Sequence, residues 1–451
     1  MALNEQISSY ASPSPYLHSL MRQECSTPST TMLICGDLFI NTSEIGGSWE
    51  RVINKFDDTL VSLIKSADFA LVNLEAPTTL SPTKILKSGP SLRMEPSVLP
   101  IIKRIGFNGF TLANNHVMDF GEEGLIDTIS GARDLGLFTC GAGLNIHDAI
   151  QPIVIQRPDG LRIAVFSFCE MEFGVSDESI PGSAWISHPS VLLEVKKYTK
   201  TVDCIIVVAH GGLEYTPLPP PERQVQLRQF IDAGADVVVG HHPHVPQGCE
   251  KYNGGYIFYS TGNFIFDSRD GLRRPETEWG YMVQLQFDSK GIIGVGLFLT
   301  DNEEDTVRLI KDPSQLMAKN AYLSELSGIT QDQDRYKEYW QELAIRLYYS
   351  RYAYVLVFCF LPHLFITAYN LFRRCIGKDF WYPCKIKCLK RIYVKNLAFL
   401  NIIRNESHSW TLKRALSIIT LQETDVRRTG TKKEVDRLLL QGKEGGNIGR
   451  D

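Results

Sequence analysis

Three histidines directly follow an apolar run in the stretch DVVVGHHPHVPQG. The β-branched residues Val237–Val239 are typical of a fully buried strand, and Gly240 marks the exit from that strand. His241, His242 and His244 then lie where the strand meets a loop. Imidazoles are common ligands of Zn, Mn and Fe, so this stretch predicts one part of a metal site.

Four other apolar runs of the sequence also end in side chains that can bind metals. TMLICG leads to Asp37, FALVNL to Asn73 and Glu75, FNGFTLA to Asn114, Asn115, His116 and Asp119, and CIIVVAH to His210 and Glu214. Each of these residues taken alone could be a turn residue, a helix cap or a buried polar group. In an open α/β sheet, however, the carboxyl ends of the strands converge on one crevice. Five strand ends with metal-binding side chains therefore predict one shared metal centre.

The types of these side chains limit the chemistry of the predicted centre. A mixture of carboxylate, carboxamide and imidazole groups suits one or two divalent ions of Zn, Mn or Fe. The lack of cysteine at these strand ends argues against a closed structural zinc site. A carboxylate that bridged two ions could place an oxyanion and an activated water together. A neighbouring histidine could then protonate the leaving oxygen.

The elements that must position these residues indicate an α/β domain over residues 31–315. Apolar strand-like runs alternate there with helical patterns, and the clearest of these patterns cover Trp49–Ser66, Gly121–Leu135 and Glu222–Ala233. This alternation predicts a largely parallel sheet. The pattern becomes antiparallel toward Gly291–Leu299. Residues 1–30 are polar and rich in Ser and Pro, which predicts a flexible segment.

Residues 316–451 form a helical and basic C-terminal region by their pattern. Its segment Tyr352–Phe372 carries no formal charge, and Arg373–Arg414 contains eleven Lys and Arg against two acidic residues. Three interpretations stay open for the apolar segment: a helix on the membrane surface, a membrane span and a buried helix. The N-terminus lacks the apolar core of a secretory signal, which predicts a cytoplasmic protein, with membrane association through the C-terminal region as an alternative.

The overall composition excludes few functions. The chain has 451 residues and a formal net charge of −4, which argues against a dedicated nucleic-acid binder. Several of its ten cysteines, such as Cys35, Cys169 and Cys204, lie in apparent buried strands and are expected to be reduced. Cys375, Cys384 and Cys388 lack the paired short spacing of a zinc site.

The ordered motifs resemble one known family. NLE-P, LANNH--D-G--G, HGGLEY, G-HPHV-QG-E-Y and YSTGNFIFD follow one another between Met32 and Asp267. This order resembles the bacterial poly-γ-glutamate capsule synthesis (CapA) family, within the calcineurin-like metallophosphoesterase superfamily. The resemblance implies a four-layer α/β/β/α sandwich, with the metal centre at an edge of the sheets.

The resemblance also implies a role for each matching residue. The implied metal ligands are Asp37, Glu75, Asn115, His210, His242 and His244. His116 corresponds to the catalytic histidine, and Asp119 is assigned with it to the catalytic group. Glu214 and Asn263 match positions that could contact the substrate or support the ligands. His241 is expected to be a bystander.

Three positions depart from the superfamily pattern that the resemblance implies. Phe39 stands where a histidine ligand is usual, so one metal position loses a ligand. Glu75 replaces the bridging aspartate and is one methylene longer. Gly211 replaces a tryptophan, which predicts a more open pocket.

Three functions follow as hypotheses. The first is a metal-dependent hydrolase or transferase of capsule or cell-envelope polymer synthesis, acting on an anionic polymer or a phosphoester. The second is a catalytically weak, membrane-associated accessory subunit of a polymer synthase or exporter, within an envelope-synthesis complex. The third is a soluble metal-dependent phosphodiesterase of small substrates.

Overall fold

The computed structural model describes residues 30–42, 49–267, 274–303, 306–355 and 396–444. The strands are β1 Thr30–Phe39, β2 Phe69–Leu74, β3 Gly109–Thr111, β4 Phe138–Cys140, β5 Ala142–Gly143, β6 Ile153–Gln156, β7 Arg162–Cys169, β8 Gly182–Ser183, β9 Cys204–His210, β10 Val237–His241, β11 Cys249–Tyr252, β12 Gly255–Phe258, β13 Asn263–Phe266, β14 Trp279–Asp288, β15 Gly291–Glu303 and β16 Thr306–Leu309. The helices are α1 Trp49–Ile53, α2 Asp58–Ser66, α3 Val98–Ile105, α4 Gly121–Asp134, α5 Ile146–Ala149, α6 Pro189–Tyr198, α7 Pro221–Asp232, α8 Pro313–Gln331, α9 Gln333–Leu347, α10 Glu406–Ile419 and α11 Thr431–Glu444. Tyr348–Tyr352 forms a π-helical turn, and residues 396–404 are also helical.

Two mixed sheets form the centre of the molecule. The larger sheet has the strand order β16-β15-β14-β1-β2-β3-β4, and β13 also pairs with β1. The smaller one has the order β11-β12-β10-β9-β7-β6. The neighbours β1-β2-β3-β4 and β7-β9-β10-β12 run parallel, whereas β14, β15 and β16 are antiparallel. Both the parallel core and the antiparallel end that the sequence predicts are confirmed.

Three hydrophobic clusters show that the architecture is a four-layer sandwich. Alternate side chains of a strand point to opposite faces of its sheet. In β1, Met32 and Ile34 belong to an inner cluster shared with the smaller sheet, whereas Leu33 and Cys35 pack under α2, α3 and α4. In β9, Ile206 joins the inner cluster, and Ile205 packs under α6 and α7. The expected α/β/β/α sandwich is therefore confirmed.

The C-terminal helices pack against this sandwich through a shared core. Side chains of α8, α9 and α11, including Leu323, Trp340 and Leu438, belong to the same cluster as the inner faces of the two sheets. The indole Nε1 of Trp340 and the hydroxyl of Tyr336 (2.6 Å) both donate to the carbonyl oxygen of Pro219. The division at residues 315 and 316 stays a prediction, while the helical nature of the described C-terminal residues is confirmed.

Several predictions fall on residues outside the described ranges. These are the flexible segment 1–29, most of the apolar segment (356–372), the basic stretch 373–395 and the three cysteines within it. Among the described residues, no helix combines the length and hydropathy needed to cross a bilayer. The described cysteines, among them Cys35, Cys169 and Cys204, are buried and unpaired, as expected.

Candidate metal centre

The candidate site forms where the carboxyl ends of the two parallel strand groups meet. In the larger sheet, Asp37 of β1 pairs in register with Asn73 of β2 and with Asn263 of β13. In the smaller sheet, His210 at the end of β9 pairs in register with His241 at the end of β10. These strand ends face one another because the two sheets pack face to face. The convergence that the sequence predicts is present.

Carboxylates and imidazoles approach one another closely enough here to hold metal ions. One group joins Asp37, Glu75 and His210, and another joins Glu75, His242 and His244, with the ligand atoms of each group within 4.8 Å of one another. All five residues are buried. Glu75 belongs to both groups, which is the placement that a bridging carboxylate requires.

Glu75 carries the clearest sign that this site is built for a cation. Both of its carboxylate oxygens are buried and accept no hydrogen bond from the described residues. Burial and the charge of the neighbouring Asp37 hold the pKa of Glu75 well above its usual range. A buried carboxylate without partners is costly, and a divalent cation would satisfy it. The donor set of carboxylate, carboxamide and imidazole groups fits Zn, Mn or Fe.

Burial favours the neutral form of two imidazoles around Glu75, and a neutral imidazole can bind a cation. Burial lowers the pKa of His210 and of His244, and the neighbouring imidazoles lower that of His210 further. The Nε2 of His210 lies 3.1 Å from Nδ1 of His242 and 3.2 Å from Oδ1 of Asn115. These three atoms therefore converge on a small volume beside Glu75, where Asn115 adds a carboxamide oxygen to the carboxylates and imidazoles.

The carboxylate of Asp37 is oriented by its surroundings. Its Oδ1 accepts a hydrogen bond of 2.7 Å from Nδ2 of Asn73, and its Oδ2 accepts one of 3.2 Å from the backbone N–H of His242. Asn114 in turn donates to Oδ1 of Asn73 at 3.2 Å. These contacts connect the ends of β1, β2 and β3 and hold the Asp37 carboxylate in one orientation.

The loop that carries the last two histidines is strained. His242 and His244 have φ values of 95° and 59°, in the left-handed region that non-glycine residues rarely adopt. Such backbone conformations cost about 1–3 kcal/mol each and concentrate at functional sites. The loop is held by the bond from His242 to Asp37 and by a 2.9 Å contact between Nδ1 of His244 and Oδ1 of Asn263. Asn263 is therefore placed to orient His244.

A second group, next to the ligands, contains the predicted catalytic residues. His116 Nδ1 lies 2.7 Å from Oδ2 of Asp119, and Lys87 Nζ contacts both Asp119 and Nδ1 of His116 (3.1 Å). Burial and the charge of Lys87 lower the pKa of His116, although Asp119 opposes this effect. The pKa of Asp119 is lowered in spite of its burial, because His116 and Lys87 are close. Asp119 is therefore an ionised group that orients the His116 ring.

Glu214 and Tyr215 lie on the loop after His210, beside the last two histidines. Burial raises the pKa of Glu214, but electrostatic interactions with His242, His244 and Arg351 outweigh this effect and bring the pKa to about 2. The Tyr215 ring stacks against that of His244, with 6.0 Å between ring centroids, and the Arg274 guanidinium lies 4.0 Å from the Tyr215 ring. An ionised Glu214 at this position can contact a substrate or a ligand.

The structure shows what surrounds the three residues that depart from the superfamily pattern, Phe39, Glu75 and Gly211. Phe39 is fully buried, with its ring 5.4 Å from that of Phe266, so a hydrophobic contact replaces the missing histidine. Glu75 reaches both ligand groups. The prediction that Gly211 opens the pocket is wrong: a Cβ at Gly211 would lie 2.1 Å from Nη2 of Arg223, so the space is occupied.

His241 lies outside both ligand groups, and its role as a bystander stays a prediction, since its buried Nε2 has no hydrogen-bond partner among the described residues. Its Nδ1 nevertheless lies 3.6 Å from Oδ1 of Asp37 and 3.0 Å from Oγ1 of Thr261. It therefore packs behind the Asp37 carboxylate, and burial lowers its pKa.

Sequence reasoning missed two residues that shape the site. Glu170 directly follows the buried strand β7, so the strand-end signal that identified Asp37 was also available for Glu170. Lys87 offered no such signal, because it lies in an irregular stretch between β2 and α3.

The sequence of this chain is similar to those of capsule synthesis proteins. Capsule biosynthesis protein CapA of Bacillus anthracis is 32% identical over 252 residues, covering 52% of this chain and 60% of the relative. PGA biosynthesis protein CapA of Bacillus subtilis (strain 168) is 34% identical over 209 residues, covering 46% of this chain and 55% of the relative. The chain thus spans little more than half the length of these relatives.

Among solved structures, a hypothetical protein from Thermus thermophilus has a TM-score of 0.39 at 12% identity, covering 60% of this chain and 99% of its own. The 5'-nucleotidase from Candida albicans SC5314 has a TM-score of 0.34 at 12% identity, covering 69% of this chain and 60% of its own.

The family model described as bacterial capsule synthesis protein PGA_cap matches residues 31–268. These residues contain both ligand groups, His116, Asp119 and Glu214, and they make up more than half of the chain. The chain therefore belongs to the bacterial capsule synthesis (PGA_cap) family.

Proposed function

We propose that this protein is a metal-dependent hydrolase or transferase of capsule or cell-envelope polymer metabolism. Its reaction would take place at a phosphoester, amide or isopeptide bond. The observation that carries the proposal is the buried Glu75 carboxylate, which has no hydrogen-bond partner among the described residues and belongs to two groups of potential ligands. A purely structural site would not retain an unsatisfied carboxylate so close to Asp37.

Six residues would hold one or two divalent ions of Zn, Mn or Fe. They are Asp37, Glu75, Asn115, His210, His242 and His244. A bound divalent ion supplies Lewis-acid activation of water and of the scissile bond. The hydrogen bonds from Asn73 and from the His242 amide orient Asp37, and Asn263 orients His244.

His116 would transfer the proton to the leaving group. Its Nδ1 is engaged by Asp119 and Lys87, which leaves Nε2 as the nitrogen that can exchange a proton with a substrate. Asp119 sets the orientation of the ring, as a carboxylate does behind a catalytic histidine.

The charges at the edge of the site support an anionic substrate. Arg274 lies on the exposed face of Tyr215, and Arg351 is exposed and acts electrostatically on Glu214. These two guanidinium groups, one over Tyr215 and the other acting on Glu214, would attract phosphate or carboxylate groups of a polymer. The substrate class that fits best is therefore an anionic polymer.

A catalytically weak accessory subunit of a polymer synthase or exporter is a second candidate, and Phe39 is the observation that favours it. Its buried ring occupies the position of one expected ligand, which reduces the ligands available to a second ion. In this case the protein would bind metal without turnover. A cytoplasmic location with membrane association through the C-terminal region belongs to this candidate.

The test uses the full-length protein reconstituted separately with Zn, Mn and Fe. Turnover is measured with bis(p-nitrophenyl) phosphate and with a γ-linked glutamate oligomer, for wild type, Glu75→Gln, His116→Ala and the control His147→Ala. His147 is an exposed residue outside the site. The proposal predicts metal-dependent turnover of the glutamate oligomer, alone or together with the phosphodiester, lost in the first two variants and kept in the control. Metal binding without turnover would favour the accessory subunit. Turnover of only the small phosphodiester would favour the small-substrate phosphodiesterase.

A further inference from the structure

A buried polar cluster connects the C-terminal helices to the loop behind the candidate metal centre. At its centre is Glu170, which follows β7. Oε2 of Glu170 accepts from the Arg223 guanidinium and from the Ser407 hydroxyl (2.7 Å), and Oε1 accepts from Nδ2 of Asn405 (2.8 Å). Nδ2 of Asn405 also donates to Glu172 at 3.0 Å. All five residues are buried.

The same carboxylate also contacts the site. Oε1 of Glu170 accepts the backbone N–H of Gly212 at 3.1 Å, and the Glu170 N–H donates to the carbonyl oxygen of His210 at 3.0 Å. Gly212 has a φ of 133°, a conformation available to glycine but rarely to other residues. The loop of residues 211–215, which begins at a ligand and carries Glu214 and Tyr215, is therefore attached to Glu170 near its start.

The start of α10 is well suited to hold Glu170 in place. Glu406 accepts hydrogen bonds from the Met171 N–H (2.7 Å) and from the side chains of Trp185 and Ser187 (2.8 Å each). Asn405 caps the helix, since its Oδ1 accepts the N–H of His408 at 2.9 Å. The start of α10 is thus anchored at several points. Its two donors, Asn405 and Ser407, both bond to the buried carboxyl group of Glu170, and hydrogen bonds to a carboxylate are among the strongest.

We infer that the C-terminal helical region positions the metal centre through Glu170. Asn405 and Ser407 hold the Glu170 carboxylate, and Glu170 holds Gly212 and thereby the loop that leaves His210. Residues 405 and 407 lie outside the family match of 31–268, so a part of the chain beyond the family region completes the site. The link to metal binding rests on the proposed function, whereas the link to the loop does not.

The variant Asn405→Asp/Ser407→Ala tests this inference. Aspartate keeps the oxygen that caps α10 but replaces the amide donor to Glu170 and Glu172 with a third, repelling carboxyl group, and alanine removes the hydroxyl donor. The control is Arg414→Ala, which breaks the 2.6 Å ion pair between the same helix and Glu222 without touching Glu170. Ser407→Ala alone is a milder variant, should the double variant not fold.

The first measurement is hydrogen exchange of the peptide covering residues 211–216, in the metal-free full-length protein. We expect the double variant to exchange about tenfold faster there, the order expected for the loss of one strong hydrogen bond. Ser407→Ala should show a smaller increase, and Arg414→Ala should exchange as wild type does. Wild-type exchange in both Glu170-directed variants would overturn the inference.

The second measurement is metal affinity by competition with a chelator. The double variant should hold Zn, Mn or Fe at least about tenfold more weakly than wild type, because His210 is less well placed. Unchanged affinity together with faster loop exchange would overturn the link from the loop to His210. A wild-type protein that binds no metal would contradict the proposed function, and the exchange result would still decide the role of Glu170.

Discussion

At the scale of single residues, the central feature is the free-energy cost of burying the Glu75 carboxylate in the metal-free protein. Its two oxygens are buried without partners among the described residues, and Asp37 adds a second negative charge nearby. Folding without metal therefore favours the protonated form of Glu75. A bound cation would reverse this preference by binding the carboxylate in its ionised form.

The variant Glu75→Gln separates the effect of this carboxylate on folding stability from its role in metal binding. Glutamine has nearly the same shape and no charge, so the metal-free variant should unfold at a higher temperature than metal-free wild type. The thermal shift that Zn, Mn or Fe produces in wild type should be absent. Calorimetry of both proteins with and without metal checks this, and an equal metal-induced shift in the variant would contradict it.

The raised pKa of Glu75 also predicts the pH dependence of metal-free stability. Below its ordinary pKa of 4.5 the carboxyl is protonated in both the folded and the unfolded state. As the pH rises above that value, the unfolded state loses the proton first, so the contribution of Glu75 to stability falls until its folded pKa is passed. Urea unfolding of wild type and Glu75→Gln across this range should show a growing difference in favour of the variant.

The residues of the site could be predicted where they lie at the carboxyl ends of buried parallel strands. Asp37, Glu75 and His210 were found by this rule, since the topology brings such strand ends together. Lys87 and Asn405 could not be found in this way. Lys87 reaches Asp119 from an irregular stretch, and Asn405 meets Glu170 from a position 235 residues away in the sequence.

At the scale of secondary structure elements, close backbone contacts at two glycines fix the course of the chain beside candidate site residues. A Cβ at Gly36 would lie 2.2 Å from the carbonyl oxygen of Gly262, and one at Gly240 would lie 2.0 Å from that of Tyr259. Gly36 immediately precedes Asp37, and Gly240 lies two residues before His242. The strand exits therefore require glycine, because a neighbouring strand or loop occupies the space of a side chain.

The substitution Gly240→Ala should destabilise the protein by about 1–3 kcal/mol, as overpacking of a buried contact does. The control is Gly328→Ala in α8, where a Cβ would meet nothing within 4 Å. Because alanine favours the helix, this control should gain about 0.5–1 kcal/mol. Denaturant unfolding measures both changes, and equal stability of the two variants would contradict the role of Gly240.

Element boundaries were predicted less well than element types. The sequence predicts one helix over Trp49–Ser66, but the structure has α1 and α2 with a break between them. Asp57 is extended and caps α2 by accepting from the N–H groups of Thr59 and Leu60, and Phe56 forms a bridge with Val307 of β16. A long-range strand contact thus outweighs the local helical pattern, and a single sequence does not show such contacts.

At the scale of the whole molecule, the C-terminal helices and the sandwich form one structure. Helices α8, α9 and α11 share the inner hydrophobic cluster, and the start of α10 contacts Glu170 behind the candidate metal centre. His408 on α10 is buried, and its Nδ1 lies 2.9 Å from the Tyr352 hydroxyl. Contacts of this kind were not predictable from the sequence, since the helical pattern gives an amphipathic face but not its partner.

The attachment of this region should depend on pH through His408. Burial and the charge of Arg351 lower the pKa of His408 from 6.5 to about 3, so the unfolded state takes up a proton first as the pH falls below 6.5. This contribution to stability is present above pH 6.5 and should fall by about 2 kcal/mol between pH 7.5 and pH 5. Urea unfolding of wild type and His408→Asn at both values measures it. Equal pH dependence of the two proteins would contradict the prediction.

The central claim, a working metal centre at the meeting of the two sheets, is tested most directly by the metal content of the purified protein. Elemental analysis is made on wild type, on His242→Ala/His244→Ala and on His147→Ala, a matched loss of an exposed imidazole. We expect stoichiometric Zn, Mn or Fe in wild type and in His147→Ala, and its loss in the double variant. One ion per chain would agree with the ligand position taken by Phe39. Equal metal content in all three proteins, or no metal in wild type after supplementation, would contradict the claim.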